Sequence, residues 1–452
     1  MTMRRVVQIV LGLCMATAGV ASTAAAQSND EVFPFGFEWN FSTPGARANG
    51  MGRTFIGIAD DGTAPISNPA GLMSLTKPQV YGEFKSTNIQ VDRLASVESL
   101  FTLQTTTFES TVNAFSFLSL SAPIKNTRLA VGFSIHRYLD YQESFSLDPR
   151  PIPALPSSAL RPVNGSTDFT GTNYSGTVAF MVTNALRVGG TFGAATFNAD
   201  TTATRNVIAF GPSFPTVRTD LRGTSIVANQ SSINDSQTAP SFSLGALYRI
   251  NDMFQVGGNY AKGPKFTTSE TLQVNLGQNL SPPVNQTPLV TAPGFPKPVP
   301  IDVPDHFGGG FSARPTPRLL VGADVVRTLY SSLTKTVTLI FNDTTLTGGE
   351  FSTPDTTEFH VGAEYNVLNL MQGKSPLFVR GGFYSNPSHV ITFTGASDAA
   401  TNAVMNAQYN LAPRNDEYRG TVGGGVVLGS RVQVDAAYVF GKEFVLSSAV
   451  RF

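Results

Sequence analysis

Apolar and polar residues alternate with period two over segments of about ten residues at many places along this chain. In Glu358 to Val367, Phe359, Val361, Ala363, Tyr365 and Val367 share one face, while Glu358, His360, Gly362, Glu364 and Asn366 share the other. The same holds for Val432, Val434, Ala436, Tyr438 and Phe440 against Gln433 and Asp435, and for Leu129, Val131, Phe133 and Ile135 against Ser134 and His136. It also holds for Phe254, Val256, Gly258 and Tyr260 against Gln255 and Asn259. Such segments predict strands at about 78–88, 111–122, 127–147, 171–184, 185–199, 238–250 and 253–274. A second group falls at about 303–314, 318–341, 355–367, 376–394, 416–429, 431–441 and 443–452. The total is about fourteen, an even number, as closure of a bacterial single-chain barrel requires.

The connections carry an independent signal, because transmembrane barrels have short periplasmic turns and long extracellular loops. Tight links at Lys125–Arg128, Thr183–Ala185, Ile250–Met253, Arg314–Arg318 and Leu428–Arg431 alternate with long polar stretches at about 89–110, 148–170, 200–237, 275–302, 342–354 and 395–415. With the first strand running outward, every long loop falls on the extracellular side. The link at 368–375 is intermediate in length, and the last outer turn, at Gly441 and Lys442, is unusually tight. The chain ends in Val450-Arg-Phe452, and a terminal aromatic on an amphipathic strand is similar to the signal read by the barrel-insertion machinery, an expected partner during biogenesis. A soluble sandwich or solenoid also alternates, but it needs neither this loop rhythm nor an export signal.

The N-terminus supplies that signal. Arg4 and Arg5 precede an apolar run to about Val20 and the small residues Ala21 to Ala26, so cleavage after Ala26 leaves Gln27 first. The only cysteine, Cys14, lies inside this segment, so the mature chain has no disulfide, thiolate metal site or cysteine nucleophile. Lipidation at Cys14 is a rival reading, weakened by Leu13 where a lipobox needs a small residue. After residue 26 no uninterrupted apolar window reaches about 18 residues, so any membrane role falls to strands.

Charge narrows the function. With 31 basic and 31 acidic residues there is no electrostatic footprint for nucleic acid. Charged residues are only 14%, while Gly 42 and Phe 33 are high, the balance of a lipid-facing barrel with tight turns. Ser134 and His136 share a strand face, but that face is the lumen, and neither G-x-S-x-G nor H-E-x-x-H occurs. The four histidines, His136, His306, His360 and His389, form no metal motif, so no enzyme, metal or cofactor is expected.

Residues 27–77 do not read as membrane strands. Aromatics stand at every second position, Phe33, Phe35, Phe37, Trp39 and Phe41, and a glycine-rich block follows. That block, Pro44-Gly-Ala-Arg-Ala-Asn-Gly-Met-Gly-Arg53 with Phe55-Ile-Gly-Ile-Ala-Asp-Asp61 and Asn68-Pro-Ala-Gly-Leu72, resembles the N-terminal hatch of the FadL/TodX family of outer-membrane transporters for hydrophobic compounds. Later segments are also similar to that family: Val303-Pro-Asp305, Arg314-Pro-Thr-Pro-Arg318, Asp324, Glu358-Phe-His-Val-Gly-Ala-Glu364, Arg380-Gly-Gly-Phe-Tyr384 and Gln433-Val-Asp-Ala-Ala-Tyr438. The resemblance implies an all-β fold, a closed antiparallel barrel of about 14 strands (78–452) plugged by an N-terminal hatch (27–77). It also implies a hydrophobic ligand that enters from outside, binds an apolar interior pocket and leaves sideways near a kinked third strand. The expected third strand contains Gly132 but no proline.

Within the hatch, Gly45, Gly50, Gly52, Asp60, Asp61, Asn68, Pro69 and Ala70 are the expected structural residues, the glycines for tight turns and close approach to the wall. The aromatics at 33–41 either line a ligand path or pack the hatch against the barrel. Asp324, Glu358, His360, Glu364, Arg380 and Asp435 point into the lumen and are expected to form a wall network that braces the barrel. Arg380 is also the expected anchor for a ligand carboxylate. The expected function is passive, ligand-specific uptake of hydrophobic molecules such as long-chain fatty acids or aromatic hydrocarbons across the lipopolysaccharide and lipid of a Gram-negative outer membrane. Two alternatives stay open: a PorV-like interaction barrel of a secretion system, and an open diffusion porin.

Overall fold

The computed structural model describes residues 39–452 apart from 100–101, 148–149, 153–154, 161–162, 209–224, 276–287, 334–350, 370–374, 395–415 and 430. The segment expected as an export signal, 1–26, and Phe33, Phe35 and Phe37 lie outside the described residues.

Fourteen antiparallel strands form the wall. They are β1 (Gln79–Ser99), β2 (Thr102–Pro123), β3 (Leu129–Leu147), β4 (Val163–Met181), β5 (Leu186–Ile208), β6 (Ser225–Arg249) and β7 (Phe254–Lys262 with Lys265–Val274). The rest are β8 (Lys297–Asp302 with His306–Thr316), β9 (Leu319–Thr328), β10 (Thr356–Asn369), β11 (Ser375–Asn386), β12 (Glu417–Leu428), β13 (Val432–Val439) and β14 (Glu443–Arg451). Each pairs with its neighbour in sequence, and β1 closes on β14 from Gln79↔Arg451 to Thr87↔Glu443, which turns the sheet into a barrel. Pro264 and Pro304 interrupt β7 and β8 at one level, because proline cannot donate to the ladder. Asp305 bridges that break, accepting from Tyr260 Oη at 3.0 Å, Lys262 Nζ at 2.8 Å and the Gly263 N–H at 3.0 Å.

The faces are those the alternation predicts. Phe359 and Val361 are 57% and 49% exposed on the outside, while His360 and Glu364, in the opposite phase, are buried in the lumen. Phe84, Phe115, Phe133, Tyr174, Phe192, Phe242, Phe383 and Phe440 continue an outward apolar belt around the barrel. The boundaries differ. Much of the stretches expected as loops at 89–110, 148–170 and 200–237, and the end of that at 275–302, is strand, because the wall continues past the lipid and its outer face turns polar there, as along Asn229–Gln237. Conversely β9 stops at Thr328, followed by a short helical turn at Tyr330–Ser332, and β11 stops at Asn386.

Beyond residue 38 the N-terminal segment lies inside this wall at the short-turn end. It contains two single-turn helices, α1 (Ala46–Gly50) and α2 (Ala64–Ser67), and a 3₁₀ turn at Pro69–Ser74 whose cap, Asn68, accepts from the Ala70 N–H.

Candidate functional site

The seat of the N-terminal segment is built from absent side chains. A Cβ on Gly362 would stand 2.0 Å from the Met51 carbonyl oxygen, and one on Gly382 would stand 2.2 Å from the Gly52 nitrogen. A Cβ on Gly189, Gly257 or Gly310 would stand 2.4–2.5 Å from backbone atoms of Pro69, Ile56 or Gly57. Backbone therefore lies directly on backbone, which only glycine at these lumen positions permits. Gly52 completes the fit from the other side: its φ is +65°, its N–H donates to Thr421 Oγ1 at 3.0 Å, and a Cβ there would meet the Phe383 nitrogen at 2.5 Å. Gly50 lies against Gly423, and the Gly45 N–H donates to the Glu83 carboxylate.

Charge locks the seat. Arg47 of α1 forks onto Glu364, Nε to Oε2 at 2.8 Å and Nη2 to Oε1 at 3.0 Å, and its Nη1 pairs with Asp60. Asp60 is held in turn by Arg314 at 3.1 Å. Across the wall, Arg380 reaches Glu364 at 2.7 Å and Asp435 at 2.8 Å, so Glu364 is shared by two guanidiniums. Asp61 accepts from the Thr63 N–H at 2.9 Å and the Thr63 hydroxyl at 2.6 Å. Burial pushes the Asp61 carboxyl above its ordinary range, with Arg47 opposing that rise and Asp60 adding to it. Asn68 donates through Nδ2 to Ile56 O and Ala246 O, both at 3.0 Å, while Pro69 and Ala70 follow it into the 3₁₀ turn.

The six expected lumen residues fall into three groups. Glu364, Arg380 and Asp435 form the ion network just described. Asp324 stands apart, accepting the Phe55 and Ile56 N–H groups at 2.6 and 2.8 Å. Glu358 and His360 pair with each other at 3.1 Å beside a cavity higher in the lumen. Arg380 does not line that cavity; its side chain is 0% exposed and held by two carboxylates, so a ligand carboxylate would have to displace one of them. Ser134 bonds Ser175 across β4 at 2.9 Å, and the His136 ring packs edge-on against Phe117.

Sequence reasoning missed Arg47, Arg53, Glu83 and Glu443, the first two because the block was read for its glycines. Arg53 donates to Glu443 at 2.9 Å and lies over the Tyr384 ring, 4.3 Å from its centroid. The wall glycines were detectable as glycines in the lumen phase of otherwise regular strands.

Above the seat a row of aromatic rings lines the lumen. Tyr141 of β3, Phe169 of β4, Phe197 of β5 and Phe266 of β7 follow one another around the inner wall, with ring centroids 6.4, 5.4 and 5.5 Å apart. Trp39 and Tyr138 join the same buried cluster, with Phe41 packed against it.

The wall opens beside this cluster. The β1–β2 and β3–β4 ladders run to the ends of their strands, but β2 and β3 pair only from Pro123↔Ala130 to Phe117↔His136. Each strand bulges next to the last pair, β2 at Ser116 and β3 at Tyr138. A one-residue bulge reverses the faces, so Ser134 and His136 point inward below it while Tyr141, Glu143 and Phe145 are the buried residues above. The third strand is thus distorted by a bulge, with no proline involved. Beyond it, side chains bridge the seam, with Ser110 Oγ donating to Gln142 O at 2.5 Å and Phe108 against Phe145 at 6.2 Å.

Among solved structures, a Pseudomonas aeruginosa FadL homologue superposes with a TM-score of 0.62 at 14% identity, covering 91% of this chain and 100% of that one. The Ralstonia pickettii toluene transporter TbuX gives 0.54 at 14% identity over 91% and 99% of the two chains, and the Pseudomonas putida toluene transporter TodX gives 0.55 at 13% over 91% and 98%. At such identities the likeness establishes the fold. No curated protein sequence matches. The family described as outer membrane protein transport protein (OMPP1/FadL/TodX) matches residues 40–448, and this chain, a Gram-negative outer-membrane β-barrel, belongs to it.

Proposed function

We propose that this protein is a passive channel that takes up hydrophobic molecules through the outer membrane. The observation that carries the reading is the apolar cluster of Trp39, Tyr138, Tyr141, Phe169, Phe197 and Phe266, buried in the lumen above the plug. A diffusion porin has a polar, water-filled interior, so this lining argues against that alternative. Ligand enters among the loops and settles in the apolar cluster, where few polar groups compete for it. The plug closes the direct way down, and the β2–β3 seam offers a way out at the level of Phe115, which is 60% exposed on the outer face. Movement needs only a gradient and differential binding along the path. Membrane lipid and lipopolysaccharide are the surroundings this path connects.

The test is extraction of ligand from the detergent-purified barrel followed by native mass spectrometry, comparing the intact protein with a variant lacking residues 27–42. A fatty acid or hydrocarbon lost with those residues is the expected result. An empty barrel that retains a protein partner in both cases would favour the interaction-protein alternative.

A further inference from the structure

One cavity lies on top of the plug, with a volume of about 60 Å³, walled by Trp39, Phe41, His306 and Tyr330 on one side and by Asn259 and His360 on another. Its apolar side is built of rings. Phe41 lies 4.5 Å from His306 and 6.4 Å from Tyr330, and Tyr330 stacks on His389 at 4.0 Å with planes 11° apart. A flat ring extends such a stack.

The other side carries unmet hydrogen-bonding atoms. His360 Nε2 lies 3.1 Å from Glu358 Oε2. A carboxylate only accepts, so Nε2 carries the hydrogen and Nδ1 is the ring nitrogen left over. Asn259 Nδ2 donates to Ser67 O at 2.8 Å, which orients the amide and leaves Oδ1 as an acceptor. His360 Nδ1 and Asn259 Oδ1 are buried without a partner among the described residues, and so is one donor, Arg53 Nε. All three residues line the same cavity.

We infer that this cavity selects a neutral aromatic compound bearing a hydroxyl group, of the phenol class, over a bare hydrocarbon or a carboxylate. The inference rests on the uptake reading above and narrows it. A hydroxyl brings one hydrogen for Asn259, accepts one from Arg53 and pairs in either sense with His360 Nδ1, whereas a hydrocarbon leaves all three unmet. A carboxylate brings no hydrogen and sets a second negative charge beside Glu358. The ring does not fit the space as it stands, since a dry cavity that holds benzene measures about 150 Å³. It therefore enters by shifting Trp39 and Phe41.

Trp39 is the chain's single tryptophan, so its emission reports on this cavity directly. The purified full-length barrel in detergent is titrated with p-cresol, toluene and p-toluate, which share one ring and differ at one substituent. The expected result is that p-cresol binds about tenfold more tightly than either. His360→Phe weakens p-cresol about tenfold and leaves toluene unchanged; if that variant does not assemble, the wild-type ranking decides alone. Toluene or p-toluate binding as tightly as p-cresol overturns the inference and leaves hydrophobic uptake standing. No response to any of the three, together with no ligand extracted from the purified barrel, overturns both.

Discussion

The indole of Trp39 stacks on the ring of Tyr138, centroids 6.0 Å apart and planes 19° from parallel, and the next N–H, that of Asn40, donates to the Tyr138 carbonyl at 2.9 Å. Tyr138 is the residue that bulges from β3 where it parts from β2, so its carbonyl is available to the N-terminal segment. Plug and seam edge are thereby joined through one residue.

Tyr138→Ala removes the stacking partner of a tryptophan that is only 5% exposed. The emission of Trp39 shifts to longer wavelength as water reaches it, while the barrel remains folded by circular dichroism. An unchanged spectrum would show that the contact does not hold the segment in place.

Glu364→Gln takes the shared carboxylate from between Arg47 and Arg380. Arg47 keeps Asp60 and Arg380 keeps Asp435, so the loss is that of one charge-assisted contact to each, about 1.5–3 kcal/mol. Planar-bilayer recordings show small-ion conductance that the native protein lacks, because the plug no longer stays seated. Native conductance together with native thermal stability would refute the lock.

Gly362→Ala drives a Cβ into the Met51 carbonyl, whereas Gly381→Ala, one strand over and facing outward, meets nothing nearer than 3.9 Å. Limited proteolysis cuts the N-terminal segment of the first variant and spares the second. Equal protection in both would mean that the seat yields without releasing the plug.

Ser110→Cys with Gln142→Cys places two thiols across the seam in a chain whose single native cysteine is Cys14. Oxidation blocks uptake of a hydrophobic probe into proteoliposomes and reduction restores it. Uptake at the native rate with the crosslink formed would rule out the seam as the exit.

The barrel was legible because lipid makes a strict demand: where Phe359 to Val367 cross the bilayer, every second residue must be apolar. The same rule hid the strand extensions, since past the lipid the outer face of β6 is polar and reads as loop. In β3 most apolar residues stay at odd positions, Arg137 and Glu143 excepted, yet Val131 and Phe133 face lipid below Tyr138 while Leu139, Tyr141 and Phe145 are buried above it. The alternation hides the bulge because the environment changes together with the face. The charge network was visible only in part, because Arg47 and Arg53 belong to no periodic element and their partners come from strands more than three hundred residues away.

The wall glycines divide the interior into two halves under different constraints. Below, the plug rests on main chain, so any side chain added there evicts it and the sequence has little freedom to drift. Above, the lining is made of side chains on strands that keep their pairing whatever ring or aliphatic group they bear. Exchange of Phe169, Phe197 or Phe266 can thus retune which molecules are admitted without loosening the stopper. One scaffold of this kind can diversify its diet while keeping the cell sealed.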